Sequence, residues 1–104
     1  MSVEEEVYYN YLYEEYSQLL TENQRSVFEM YFGLDLSLGE IAEIKGVSRQ
    51  SAFDSVSAVK KQLVSLEEKL GLYRKKIAVY RLIEGLSEEN KQIGSEIKKI
   101  LGDS

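Results

Sequence analysis

The chain has 104 residues, 43% hydrophobic and 30% charged, with a formal net charge of -5; that is the balance of a globular protein, and its length suits one domain with a modest core. It contains no Cys, His, Trp or Pro, which excludes disulfides, thiolate or imidazole metal sites and nucleophile-plus-histidine catalysis. The acidic opening, Ser2 to Glu6, is unlike a secretion signal, and no apolar run approaches the roughly 18 residues of a membrane span, so a cytoplasmic protein is expected.

The predicted elements are all helices. The first, about residues 3–20, places Tyr9, Leu12, Tyr13, Tyr16, Leu19 and Leu20 at spacings of three and four, with most of its glutamates elsewhere. Thr21, three residues before Gln24, predicts a reciprocal cap on a second helix carrying Val27, Phe28, Tyr31 and Phe32 and stopping at Gly33. Ser37 and Glu40 repeat that signal for a third helix, in which Ile41, Ala42 and Ile44 are expected to face inward and which Gly46 ends.

Ser48 then caps a fourth helix reaching Leu70. Along it Ala52, Val56, Val59, Leu63, Leu66 and Leu70 step by four and three alternately, a 3.5-residue repeat. Such a stripe serves either as the seam of a homodimer or as the surface that packs on the chain's own first and last helices; at this length the second reading is favoured. Beyond Gly71, a fifth helix of about residues 72–84 has Tyr73, Ile77, Tyr80 and Ile83 on one side and closes at Gly85. A sixth, after Ser87, has Ile93, Ile97, Ile100 and Leu101 in register, with Gly94 expected to weaken it by up to about 1 kcal/mol. The expected architecture is a single all-α domain of five to six helices over residues 1–104, with a helix-turn-helix core at about 37–70 and C-terminal helices at 72–101.

Charge is segregated along the chain. Residues 1–45 carry ten acids against Arg25 and Lys45, whereas residues 46–104 carry eleven bases against eight acids, and Lys69 to Ile83 holds five cations and no acid. Screening confines each field to about 8 Å at physiological salt, so a polyanion would sense the local cations rather than the total.

Residues 36–56, "LSLGEIAEIKGVSRQSAFDSV", carry the most specific signal. A small Ala42 lets a second helix cross closely, Gly46 permits the left-handed backbone of a sharp turn, Val47 is expected to plug the corner, and Ile41, Ala52 and Val56 supply buried positions. This stretch resembles the helix-turn-helix of bacterial sigma factor region four and, more closely, that of the YlxM-like proteins; the latter similarity also takes in "NYLYEEYSQLLTENQ", residues 10–24, and spans about residues 8–72. The resemblance implies an all-helical, non-enzymatic protein without cofactors, taking part in the signal recognition particle pathway through the particle's RNA, its GTPase, or both. Two residues depart from the pattern. Lys45 stands where an apolar residue is usual, with Ile44 one place early, which predicts a slightly rotated third helix; Ala52 replaces a branched residue, which predicts a looser crossing.

In a helix-turn-helix, Ser48, Arg49, Gln50, Phe53 and Asp54 face a groove. Arg49 suits guanine and Gln50 suits adenine, but Asp54 opposes phosphate and Phe53 is a large apolar ring, which fits an unpaired RNA base or a protein pocket better, or else a place at the edge of the core. Lys60, Lys61, Arg74, Lys75 and Lys76 are the candidate phosphate contacts, with a solvated helix face as the bland reading of the last three. Five tyrosines in "YYNYLYEEY" suggest a stacking platform or dimer interface, although the neighbouring glutamates disfavour phosphate and core packing is the default. Three functions therefore remain open: an adaptor of the signal recognition particle, a sequence-specific reader of duplex DNA, and a protein-binding helical module that uses the acidic tyrosine-rich half.

Overall fold

The computed structural model describes residues 2–86 and 91–102, all of whose regular elements are helical. In chain order these are α1 (Val3–Tyr16), running into a 3-10 turn (Ser17–Leu19); α2 (Glu22–Phe28), widening into a π turn (Glu29–Gly33); α3 (Leu38–Lys45); α4 (Arg49–Leu70); α5 (Leu72–Glu84); and α6 (Lys91–Ile100). Contacts group them into two compact units, residues 1–70 and residues 71–104.

The caps read from the sequence set the boundaries. Thr21 and Gln24, and again Ser37 and Glu40, form reciprocal capping boxes with all four hydrogen bonds between 2.9 and 3.1 Å. The Ser48 hydroxyl accepts from the Ser51 N–H at 3.0 Å. Ser2 caps α1 in the same way through the Glu5 N–H at 3.1 Å. Ser87, expected to cap α6, lies outside the described residues.

In the first unit α4 packs against α1, α2 and α3. Its buried side chains are Ala52, Val56, Val59, Leu63 and Glu67, which meet Leu12 and Tyr16 of α1, Val27 and Phe28 of α2, and Ile41 and Ala42 of α3 in one core. The stripe is covered by the chain's own helices, as the favoured reading expects of the first helix; the other covering helices are α2 and α3 and not the last helix of the chain, which belongs to the second unit. Its far end differs from the 3.5-residue repeat, because Leu66 is half-buried and Leu70 exposed while Glu67 is inside. A straight α-helix turns once per 3.6 residues and drifts about 20° per heptad from a 3.5-residue repeat, so four turns along the core line falls on Glu67.

Burying that carboxylate needs a partner. The Tyr16 hydroxyl donates to Glu67 Oε1 at 2.6 Å, in the range of a charge-assisted O–H···O bond. The other tyrosines of α1 divide by helical phase. Tyr13 stacks on Phe28 with centroids 4.0 Å apart and planes 5° from parallel, Tyr9 lies 5.7 Å from Phe32, and Phe28 stacks on Phe32 at 4.5 Å. This ladder joins α1 to α2, whereas Tyr8 and Tyr11 are exposed. Core packing is thus the role of Tyr9, Tyr13 and Tyr16.

Two inward placements expected from the sequence are corrected. Ile44 is exposed, and Val47 is 45% exposed rather than sealed into the corner. In place of Ile44, Lys45 turns inward: its ammonium donates to Asn23 Oδ1 at 3.0 Å and Ser26 Oγ at 2.9 Å, pinning the end of α3 to α2. The long lysine stem fills the apolar position of the pattern and delivers its charge to polar atoms of a neighbouring helix. Ala52 is buried at the crossing of α3 and α4, beside a notch of about 140 Å³ lined by Val27, Ile41 and Val47.

In the second unit α5 packs against α6. A Cβ built on Gly94 would come 2.5 Å from Ile83 Cγ2, so the bare backbone of this glycine makes room for the Ile83 side chain of α5 and is not only a weak helix position. Ile93 and Ile100, in register with Ile97, are exposed.

Two stability outcomes are expected. Tyr16→Phe leaves the buried Glu67 carboxylate without its phenol donor and should cost about 1–3 kcal/mol in chemical denaturation; a double-mutant cycle with Glu67→Leu should show coupling above about 0.5 kcal/mol, and strict additivity would contradict the pairing. Gly94→Ala should gain helix propensity yet lose about 1–3 kcal/mol net to overpacking, with Ile83→Ala restoring most of the loss; a melting temperature raised by Gly94→Ala alone would contradict the close approach.

Candidate nucleic-acid interface

Gly46 sits at φ 68° and ψ 36°, the left-handed region that costs a side-chain-bearing residue. Its N–H donates to Glu43 O at 3.3 Å and the Val47 N–H donates to Ala42 O at 3.0 Å. These two bonds satisfy carbonyls at the end of α3 and reverse the chain, after which Ser48 caps α4 at once. Two short connections thus hold the first turn of α4 clear of α3.

That turn carries the recognition residues expected from the sequence. Ser48, Arg49, Gln50 and Asp54 are exposed and Phe53 is 50% exposed, so this ring stands at the surface and not in the core. One pairing was missed: Gln50 Nε2 donates to Asp54 Oδ1 at 3.0 Å. The signal was present, since Gln and Asp four residues apart meet on a helix. The bond takes one of the two amide N–H donors and orients the Gln50 amide toward Asp54, and it holds a carboxylate beside the surface a phosphate would approach.

The candidate phosphate contacts separate by unit. Lys60 and Lys61 lie on α4, nearly three turns beyond Gln50. Lys61 is exposed, but Lys60 is held 3.5 Å from Glu5 Oε1 and 5.2 Å from the centroid of the Tyr9 ring. Only the tertiary packing of α1 on α4 brings these groups together. Arg74, Lys75 and Lys76 lie on α5 in the second unit; the Lys76 ammonium is 6.0 Å and that of Lys98 is 5.7 Å from the Tyr80 ring centroid. Lys98 is a cation the sequence reading did not single out, and only packing of α6 on α5 could have marked it.

Tyr13 shows how unit 1 treats an ionisable group. Its phenol is raised above the ordinary tyrosine value, first by burial and then by the hydrogen bond it donates to Glu29. Among the described residues no group of three or more His, Cys, Asp or Glu is placed to hold a metal ion, and no helix is long and apolar enough to cross a membrane.

Comparison with known proteins agrees with this geometry. Residues 3–101 match the family UPF0122, described as "Putative helix-turn-helix protein, YlxM / p13 like". The chain is 42% identical over 93 residues to a UPF0122 protein of Oceanobacillus iheyensis, covering 88% of this chain and 89% of that one. It is 40% identical over 95 residues to one of Bacillus cereus, covering 88% and 86%, and 46% identical over 77 residues to one of Caldanaerobacter subterraneus, covering 74% and 66%.

Because the Lys60–Glu5 pair is partly exposed, Glu5→Gln should change stability by no more than about 0.5 kcal/mol. It should, however, free Lys60 and delay elution from heparin to higher salt; unchanged elution would show that Glu5 does not restrain this cation.

Proposed function

This chain belongs to the UPF0122 family of YlxM / p13 like helix-turn-helix proteins, and on that premise we propose that it is a non-enzymatic regulatory or adaptor protein that contacts nucleic acid through the first turn of α4. The observation that carries the reading is the joint exposure of Ser48, Arg49, Gln50 and Phe53 at the start of α4, whose entry is fixed by the left-handed Gly46 and by the Ser48 cap. A half-exposed phenylalanine beside an arginine offers a stacking face next to a cation, the combination that suits an unpaired base.

The partner we assign is the RNA of the signal recognition particle, with its GTPase as a second contact. The support for the particle is the resemblance to YlxM-like proteins; the support for RNA over duplex is chemical. Phe53 offers a face for an unpaired base, and the Gln50–Asp54 bond works against major-groove readout. Lys61, and Lys60 once released from Glu5, supply phosphate contacts along the same helix, with Arg74, Lys75 and Lys76 as further candidates on α5. Sequence-specific reading of duplex DNA is the second function, favoured by the helix-turn-helix itself, whose α4 is placed as a recognition helix.

Fluorescence anisotropy with the particle's RNA, a size-matched control RNA and a duplex DNA separates these. Tightest binding of the particle's RNA, weakened at least tenfold by Arg49→Ala and by Phe53→Ala, is expected. Tighter binding of a selected duplex, increased further by Asp54→Asn, would replace this reading with the second. Absence of binding to all three would remove nucleic acid from the account.

A further inference from the structure

A strip beside the buried line of α4 continues well past its first turn. At 3.6 residues per turn, Arg49, Phe53, Lys60 and Val64 fall within about 60° of one another around the helix and span about 22 Å along it. The far half of this strip forms one wall of a groove of about 360 Å³ whose other wall is Tyr9 of α1. Its lining joins an aromatic ring and an apolar floor, Tyr9 and Val64, to the hydroxyl of Ser57, the ammonium groups of Lys60 and Lys61, and the carboxylate of Glu68.

We infer that this groove holds an unpaired nucleotide of a single RNA strand that runs along α4 from Arg49, with Lys60 and Lys61 on its phosphates and Glu68 accepting a hydrogen bond from the exocyclic amine of its base. The inference rests on the nucleic-acid reading above and extends it to a second site and a base preference. Three features support this occupant. The cations sit at the Arg49 side of the groove, where a strand leaving the first turn arrives, so the charge complementarity follows the strand's path. The groove is concave and has an aromatic wall and an apolar floor, which accommodates a splayed base but not a base held in a duplex. A carboxylate among such walls favours cytosine, whose N4 amine donates, over uracil, whose O4 only accepts.

The test uses the full chain and fluorescein-labelled twelve-nucleotide oligo(C) and oligo(U), followed by anisotropy across a salt series. Oligo(C) should bind several-fold more tightly than oligo(U), and Glu68→Gln, whose amide both donates and accepts, should abolish the difference. Lys61→Gln, at an exposed position, should reduce the slope of log affinity against log salt by about 0.7. Ser65→Trp, which fills the groove, should weaken oligo(C) at least fivefold with an unchanged melting temperature; if that variant unfolds, Lys61→Gln and Glu68→Gln carry the test. Equal binding of oligo(C) and oligo(U), or of oligo(C) and its duplex with oligo(G), would overturn the inference. If Arg49→Ala weakens both strands while the three groove variants change nothing, the groove is empty and the reading of the first turn stands; if neither strand nor the particle's RNA binds, both readings fall together.

Discussion

Everything in the helix-turn-helix unit depends on burying one line of α4. Ala52, Val56, Val59, Leu63 and Glu67 follow the 3.6-residue turn of a straight helix and are covered by α1, α2 and α3. Arg49 shares the helical phase of Glu67, and Phe53 lies about 40° from it, so both flank the buried line rather than oppose it. They are exposed because they stand at the start of α4, just past the Gly46 turn.

The core also contains its own exception. A carboxylate inside a domain of this size is tolerable only with its hydrogen bonds made, and Tyr16 reaches across from α1 to donate to Glu67. Pairs of this kind add little net stability compared with an apolar pair of the same shape, but they penalise any register in which they do not meet. Tyr16 and Glu67 therefore act as a registration pin between α1 and the far end of α4, complementing the Gly46 turn at the near end. Between the two, Lys45 ties α3 to α2 through Asn23 and Ser26.

The acidic total reconciles with a polyanionic partner through geometry. Residues 1–70 carry thirteen acids against six bases, so the unit as a whole repels nucleic acid and long-range attraction cannot select a partner for it. Of these acids Glu5 is paired with a cation, Lys60, whereas Asp54, Glu40 and Glu67 accept hydrogen bonds from neutral donors, which hold them in place without offsetting their charge. On the function proposed above, recognition would rest on short-range contacts along α4, where aromatic and apolar surface matters as much as charge. A protein of this kind is suited to a structured partner that it meets at close quarters, and poorly suited to sliding along duplex DNA.

The sequence by itself determined the helices, their caps and the turn, because these follow from local chemistry: a Ser or Thr three residues before Glu or Gln, a glycine at a left-handed position, an apolar residue every three to four. It also determined membership of the helix-turn-helix class, since residues 36–56 place a small residue, a glycine and their buried neighbours at the spacing that a close crossing demands. Only the tertiary structure decided which near-equivalent residues went inside. Ile44 and Lys45 are one position apart, as are Leu66 and Glu67, and hydrophobicity favours the wrong member of each pair; the outcome turned on Asn23, Ser26 and Tyr16, which lie 19 to 51 residues away in the chain. The groove over Tyr9 and the clash that makes Gly94 necessary belong to the same class, because each exists only where one helix approaches another, and a periodic pattern records the phase of a helix but not the identity of what comes to rest against it.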